Sequence, residues 1–136
     1  MTALHQSYWQ NEILNGDPVG LVRLLYREAS RSIAAAKDCL GLGDIPGRTV
    51  SISKASAILN ELALSLDHAR GGEISRGLVE IYDYVQRLLQ EANFQQSAAP
   101  LEEAHKLVET LREAWEKSST ASADGPATDC LEEVLG

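Results

Sequence analysis

Apolar residues recur at alternating spacings of three and four along four stretches of this chain. That spacing places them on one face of a helix with 3.6 residues per turn, so four amphipathic helices are predicted. No stretch alternates at period two, and no strand is predicted. The four predicted buried stripes are Val22, Leu25, Ala29, Ile33, Ala36 and Leu40; Ile52, Ala55, Leu59, Leu62, Leu66 and Ala69; Ile74, Leu78, Ile81, Val85, Leu88 and Ala92; and Leu101, Ala104, Val108, Leu111 and Trp115.

Prolines and glycines separate these stripes. Asp17-Pro18 and Pro100 are typical of a first helical turn, because proline lacks only an N–H that would be unpaired there. Glycines predict the ends of the first and second helices, and a turn-rich link between them. These breaks are Gly41, Gly43, Ile45-Pro46-Gly47 and Gly71-Gly72. Short later links and heptad-like spacing favour an antiparallel four-helix bundle over residues 17–117.

The two ends of the chain differ from the bundle. Residues 1–16 carry Tyr8 and Trp9, which are costly to leave in water, so we expect an N-terminal cap segment that lies against the bundle. Residues 118–136 contain four acids and no basic residue, which is typical of a disordered acidic tail. We expect deletion of residues 119–136 to change the free energy of unfolding by less than about 1 kcal/mol.

Composition narrows the possible partners. The chain has 136 residues, which suits a single domain, and its net charge of -8 argues against binding to nucleic acid or an anionic membrane surface. No apolar run is long enough to cross a bilayer, and the N-terminus has no secretory signal. Cys39 and Cys130 show no paired spacing, so a reduced, cytoplasmic protein is expected.

Catalytic chemistry has little support in the residues. A carboxylate-bridged metal site in a bundle needs two Glu-x-x-His motifs and two further glutamates, and only Glu102-x-x-His105 occurs. The Gly41-x-Gly43 pair follows a helix and precedes a turn, so it indicates a helix end and not a phosphate loop. We therefore predict no enzyme activity, no catalytic residues, no metal and no cofactor.

Some large apolar residues fall outside the predicted stripes. Ala57 and Leu64 lie nearly opposite the stripe of the second helix, Val79 lies beside Tyr82 on the third, and Leu24 points away from the stripe of the first. Several such residues on neighbouring helices indicate a hydrophobic groove for another chain. Tyr82 and Tyr84 lie at opposite edges of the third stripe, and of the two we expect Tyr84 to be the more buried.

Several short stretches resemble the family of the flagellar secretion chaperone FliS. The resemblance extends over about residues 8–117 in order. The stretches that carry it are Leu21–Tyr26 (LVRLLY), Leu66-Asp67, Gly71–Ile74 (GGEI), Ile81–Val85 (IYDYV), Glu91-Ala92-Asn93 and Leu111–Trp115 (LREAW).

The resemblance implies an antiparallel helical bundle without catalytic activity. It implies a chaperone that binds the disordered C-terminal segment of flagellin, and an N-terminal Tyr, matched here by Tyr8, that packs on the bundle until flagellin displaces it. An adaptor bundle that serves another flagellar or type III secretion protein is the alternative. The candidate partner-binding residues are Tyr8, Leu21, Leu24, Ala57, Leu64, Val79 and Tyr82.

Overall fold

Four helices account for nearly all of the described chain. The computed structural model describes residues 18–120, and the N-terminal cap segment and the tail from residue 121 onward lie outside them. The helices are α1 (Pro18–Leu42), α2 (Ile45–Leu64), α3 (His68–Gln95) and α4 (Ala98–Thr120). No strand occurs between residues 18 and 120, and the predicted all-helical bundle is confirmed.

The helices form a ring in which each packs on two neighbours. α1 packs on α2 and α4, and α3 packs on the same two helices from the opposite corner, so α1 and α3 face each other diagonally. Cross-helix contacts show antiparallel neighbours: Arg48 of α2 meets Asn93 of α3, and Ser56 meets Gln86. A ring of antiparallel helices leaves one core along its axis and four outer seams between neighbours.

The core contains most of the predicted stripes. The stripes of α1, α2 and α4 are buried along most of their length, and the largest fully buried side chain is Trp115, which packs on Tyr26 with ring centroids 6.0 Å apart. Burial of large apolar side chains is worth about 1.5–3 kcal/mol each. The stripe positions that remain exposed are Ala69 and Ile74, and both lie near the start of α3.

On α3 the buried face is rotated relative to the prediction. The buried residues include Ser75, Tyr82 and Leu89, each one position after the predicted Ile74, Ile81 and Leu88, although Leu88 is buried as well. The expectation that Tyr84 is more buried than Tyr82 is wrong, because Tyr82 is 2 % exposed and Tyr84 is 37 % exposed. The rotation turns the Tyr82 ring toward the bundle axis, where its hydroxyl meets that of Tyr26.

The link between α2 and α3 comes earlier than predicted. α2 ends at Leu64, and Asp67 caps α3 by accepting a hydrogen bond from the backbone N–H of Arg70 at 3.1 Å. Gly71-Gly72, predicted as a helix end, lies within α3 as a kink, where Gly72 has φ 53° and ψ -123°. The Asp67 side chain decides the boundary, since a capping carboxylate satisfies N–H groups that a continuous α2 would not expose.

The predicted turn at Ile45-Pro46-Gly47 is instead the first turn of α2. Asp44 is its N-cap, and the Asp44 Oδ1 accepts a hydrogen bond from the Gly47 N–H at 3.0 Å. Glycine is required at position 47 because there is no room for a Cβ atom. A Cβ at this position would lie 2.3 Å from the Asp44 carboxylate and 2.8 Å from the Cys39 Sγ.

Candidate functional site

An open groove runs along the outer seam between α2 and α3. It has a volume of about 380 Å³. Buried Ile52 and Leu89 form part of its wall, and most of the other side chains are polar. The lining residues are Ile52, Ser53, Ser56, Ala57, Asn60, Gln86, Leu89, Gln90 and Asn93. We refer to this feature as the α2–α3 groove.

Gln86 joins the two walls of the α2–α3 groove. Its Oε1 accepts a hydrogen bond from the Ser56 Oγ at 2.6 Å, and its Nε2 donates to the Ser56 backbone oxygen at 2.9 Å. The Nε2 also donates to the Asn60 Oδ1 at 3.3 Å. The carboxamide therefore holds α2 and α3 together at mid-groove without filling the seam above it.

Beyond the lining of the groove, the same seam carries two apolar side chains, Leu64 of α2 and Val79 of α3. Leu64 lies two turns after Ala57 on the same face of α2, and Val79 lies two turns before Gln86 on the same face of α3. The antiparallel register defined by Ser56 and Gln86 places Leu64 and Val79 at the same level of the seam. Leu64 is 79 % exposed and Val79 is half-buried. We call Leu64 and Val79 the apolar end of the groove.

The structure thus brings three of the predicted partner-binding residues to one seam and separates the others. Leu24 is half-buried and lies one turn before Glu28 on α1. The Glu28 carboxylate lies 3.4 Å from the Lys54 ammonium of α2, so Leu24 lies on the seam between α1 and α2. Leu21 and Tyr82, also predicted to bind a partner, are buried in the core and lie on none of the outer seams. Tyr8 lies outside the described residues.

The polar wall of the α2–α3 groove was not predicted. Ser53, Ser56 and Asn60 on α2, and Gln86, Gln90 and Asn93 on α3, recur at spacings of three and four. This is the helical period, carried by amide and hydroxyl side chains instead of apolar ones. A search restricted to apolar stripes overlooks it, whereas a search for period in uncharged polar residues would have found it.

A second polar cluster joins α1 to α4. The Ser30 Oγ donates a hydrogen bond to the Glu109 Oε1 at 2.5 Å and lies 3.2 Å from the His105 Nε2. Arg112 binds the other Glu109 oxygen at 2.7 Å, and its hydrogen bond lowers the pKa of the Glu109 carboxyl, with a smaller contribution from Ser30.

This cluster does not have the geometry of a serine nucleophile. In a catalytic triad the imidazole takes the serine proton and the carboxylate binds the other ring nitrogen. Here the Glu109 carboxylate accepts the Ser30 proton itself, and the ring nitrogen nearest to it is the same Nε2, at 3.8 Å. The arrangement clamps two helices, as does the Arg27–Glu116 ion pair at 2.8 Å on the same seam.

The motif Glu102-x-x-His105 gains no further ligands in three dimensions. Within residues 18–120 no three His, Cys, Asp or Glu side chains come close enough together to hold a metal ion. His105 contacts Ser30, and Glu102 is exposed. Over the same range no helix has the length and apolarity required to cross a membrane.

Comparisons with known proteins agree with this architecture. The chain is 33% identical over 111 residues to the flagellar secretion chaperone FliS of Salmonella typhimurium, covering 81% of this chain and 82% of that protein. It is 31% identical over 111 residues to the FliS of Campylobacter jejuni (82% and 87% covered) and 29% identical over 105 residues to FliSB of Pseudomonas aeruginosa (77% and 83% covered). A family profile described as Flagellar protein FliS matches residues 1–122, and by this match the chain belongs to the FliS family.

Proposed function

We propose that this chain is a flagellar export chaperone that binds the disordered C-terminal segment of flagellin in the cytoplasm and prevents its premature polymerisation. The relatives are named flagellar secretion chaperones, which supports the export role. The α2–α3 groove supports a peptide as ligand, because it is open along its length and carries side chains from two helices.

The dimensions of the α2–α3 groove suit an extended or helical segment. From Ser53 to Leu64 the seam runs for about 17 Å, at about 1.5 Å per residue of α2. Ordering a disordered segment costs about 2–5 kcal/mol or more, so a large contact is needed to offset it. A seam with an apolar end and a row of hydrogen-bonding side chains provides both burial and partners for the backbone of a client.

The polar wall also fits a role without catalysis. Gln86 has its carboxamide engaged by Ser56 and Asn60, so its hydrogen-bonding groups hold the groove walls and do not project toward a bond to be broken. Binding and covering the client is then the whole activity. Flagellin termini that are covered cannot assemble with other flagellin subunits.

Leu64 provides a direct test of the proposal. The full chain is titrated calorimetrically with a peptide of the flagellin C-terminal segment, and Leu64→Glu is expected to weaken binding by about tenfold or more, which corresponds to about 1.4 kcal/mol. Leu42→Glu is the matched control, because Leu42 is 83 % exposed at the opposite end of the bundle. Circular dichroism of both variants checks that the helices are retained.

Three results would contradict the proposal. Equal affinity of the Leu64 and Leu42 variants would exclude the α2–α3 groove as the binding surface. Absence of any binding by the unmodified chain would exclude flagellin as the client. Capture of a different flagellar export protein by the same chain, in a pull-down that fails with flagellin, would favour the adaptor alternative.

A further inference from the structure

The C-terminal segment 121–136 has a composition that matches the apolar end of the groove. Leu131, Val134 and Leu135 are spaced so that one helical turn brings them to one side, with Glu132 and Glu133 on the other. The segment extends beyond residue 122, where the family match ends. Residues 131–135 therefore lie outside the part of the chain that the family profile matches.

The position of Thr120 brings this segment close to the groove. α4 runs antiparallel to α3, as the contact between the Tyr84 hydroxyl and the Glu103 carboxylate shows, so α4 ends beside the first turns of α3. Residues 121–130 span up to about 33 Å when extended. The apolar end of the groove lies on the other side of α3, a helix of about 10–12 Å diameter. This length is enough for residues 131–135 to span the distance to Leu64 and Val79.

Charge restricts where along the groove the tail can lie. Arg76 is exposed three residues before Val79, and within residues 18–120 no carboxylate lies within ion-pair distance of it. Asp83 is exposed one turn beyond Val79, and Glu80 lies further around the helix. Arg76 is expected to attract the acids of residues 131–135, whereas Asp83 and half-buried Glu61, one turn before Leu64, repel them. The apolar residues of the tail are therefore expected at Leu64 and Val79 with Glu132 and Glu133 turned toward Arg76.

A tethered segment needs little intrinsic affinity to occupy such a site. A short flexible link gives an effective concentration in the mM range. A contact with a dissociation constant of about that size is then populated for a substantial fraction of the time. Such an equilibrium is compatible with the small effect on stability expected for removal of the tail.

We propose that residues 131–135 of this chain bind the apolar end of the α2–α3 groove and compete there with the client. The competition, unlike the contact itself, rests on the function proposed above. A competitor lowers the apparent affinity of a ligand by the fraction of sites left open. If the tail occupies two thirds of the sites, its loss strengthens client binding about threefold.

The contact is tested on the full chain by paramagnetic relaxation. A nitroxide is attached to Cys130 in a Cys39→Ser background, and the methyl signals of leucine and valine are followed by NMR. The signals of Leu64 and Val79 are expected to broaden, and that of Leu42 at the opposite end is expected not to broaden. Combining Leu131→Ser, Val134→Ser and Leu135→Ser, which keeps the label and the tail length, is expected to reduce the broadening at least twofold.

Three outcomes would overturn the contact. They are equal broadening of Leu64 and Leu42, broadening that is unchanged in the triple serine variant, and broadening that appears only between labelled and unlabelled copies in a mixed sample. The competition is tested separately by calorimetry with the flagellin peptide, where the triple serine variant is expected to bind about threefold tighter. Unchanged affinity would overturn the competition, whereas absence of flagellin binding in all variants would overturn the proposed function and leave the NMR result standing.

Discussion

The hydroxyl oxygens of Tyr26 and Tyr82 lie 2.5 Å apart in the core of the bundle. They connect α1 to α3, the two helices that face each other diagonally across the ring. Their rings are 6.4 Å apart, and Trp115 of α4 packs on Tyr26. Three helices are therefore tied together at one level by aromatic contacts and a single hydroxyl pair.

Replacing a single tyrosine of this pair is expected to lower the free energy of unfolding by more than half of the loss caused by replacing both. Tyr26→Phe or Tyr82→Phe leaves the other hydroxyl without its buried partner, which is expected to lower the free energy of unfolding by about 1–3 kcal/mol. The double variant is expected to lose less than the sum of the two single losses, with a coupling of about 0.5–3 kcal/mol. Urea unfolding of all four proteins measures this cycle. Tyr84→Phe is the control, since that side chain is partly exposed. Strictly additive losses would show that the two hydroxyls are not coupled.

Alkaline pH is expected to destabilise the bundle through the same pair. Burial raises the pKa of Tyr26 well above its ordinary value and that of Tyr82 to about 12. Because both groups are held neutral when folded, their contribution is fully present below the unfolded pKa of about 10. This contribution to the free energy of unfolding decreases as the pH rises above about 10, because the tyrosines of the unfolded chain ionise before those of the folded bundle. Thermal unfolding between pH 8 and 11 checks this, and a midpoint that falls no further in the unmodified chain than in the double phenylalanine variant would refute it.

Arg48 is expected to stabilise the packing of the first turns of α2 against the last turn of α3. It is 5 % exposed, and its Nε donates a hydrogen bond to the Asn93 Oδ1 at 3.1 Å. Its Nη2 lies 3.5 Å from the Asn93 backbone oxygen in the last turn of α3, where a cation is favoured by the helix dipole. Arg48→Ala is therefore expected to lower the free energy of unfolding by roughly 1.5–3 kcal/mol, the range for hydrogen bonds to charged groups.

Arg31→Ala provides the matched control for Arg48. Arg31 is exposed, and among residues 18–120 it pairs only with Glu28 on its own helix, at 2.7 Å. Loss of an exposed pair of this kind is expected to change stability by about 0.5 kcal/mol or less. Chemical unfolding of both variants compares the two arginines directly. Similar losses would mean that the buried position of Arg48 has no special importance.

Glu109 is expected to make the bundle sensitive to acid. Hydrogen bonds from Arg112 and Ser30 lower the pKa of this carboxyl below its ordinary value of 4.5. A lowered folded-state pKa gives stability that is present above pH 4.5 and is lost as the pH falls through the folded value. Glu109→Gln is therefore expected to lose less stability than the unmodified chain between pH 6 and pH 3, as measured by urea unfolding. Glu102→Gln, an exposed position on the same helix, removes the same charge. If both variants lose equally little stability between pH 6 and pH 3, the effect comes from the change in net charge and not from the hydrogen bonds of Glu109.

Much of the fold could be predicted from local information alone. The number of helices follows from the period of the apolar residues, which depends only on neighbours three and four positions away. Residues such as Ile33, Leu59 and Val108 are buried as predicted. The apolar face of each of their helices is wide, so a small error in its predicted direction leaves these residues in the core. The family could likewise be predicted from ordered short stretches such as LVRLLY and IYDYV.

The exact direction of a face depended on the partner helices. On α3 the apolar arc allows either Ile81 or Tyr82 to face the axis, and the Tyr26 hydroxyl across the bundle selects Tyr82. The end of α2 was missed for a related reason. Leu66 continues the apolar spacing, but the Asp67 carboxylate binds the Arg70 N–H and starts a new helix. The apolar spacing is compatible with either helix boundary, so the hydrogen bond from the Arg70 N–H to Asp67 decides between them.

The grouping of surface residues was decided by the tertiary structure. By itself the sequence determined that Leu24, Ala57, Leu64 and Val79 lie away from the main stripes. It did not determine which of them share a seam, because helical period contains no information on the order of helices around the ring. The antiparallel register of α2 and α3 places Val79 at the level of Leu64 on one seam, and Leu24 lies on another. The α2–α3 groove exists because two helices of opposite direction meet along faces whose side chains are too small and too polar to close it.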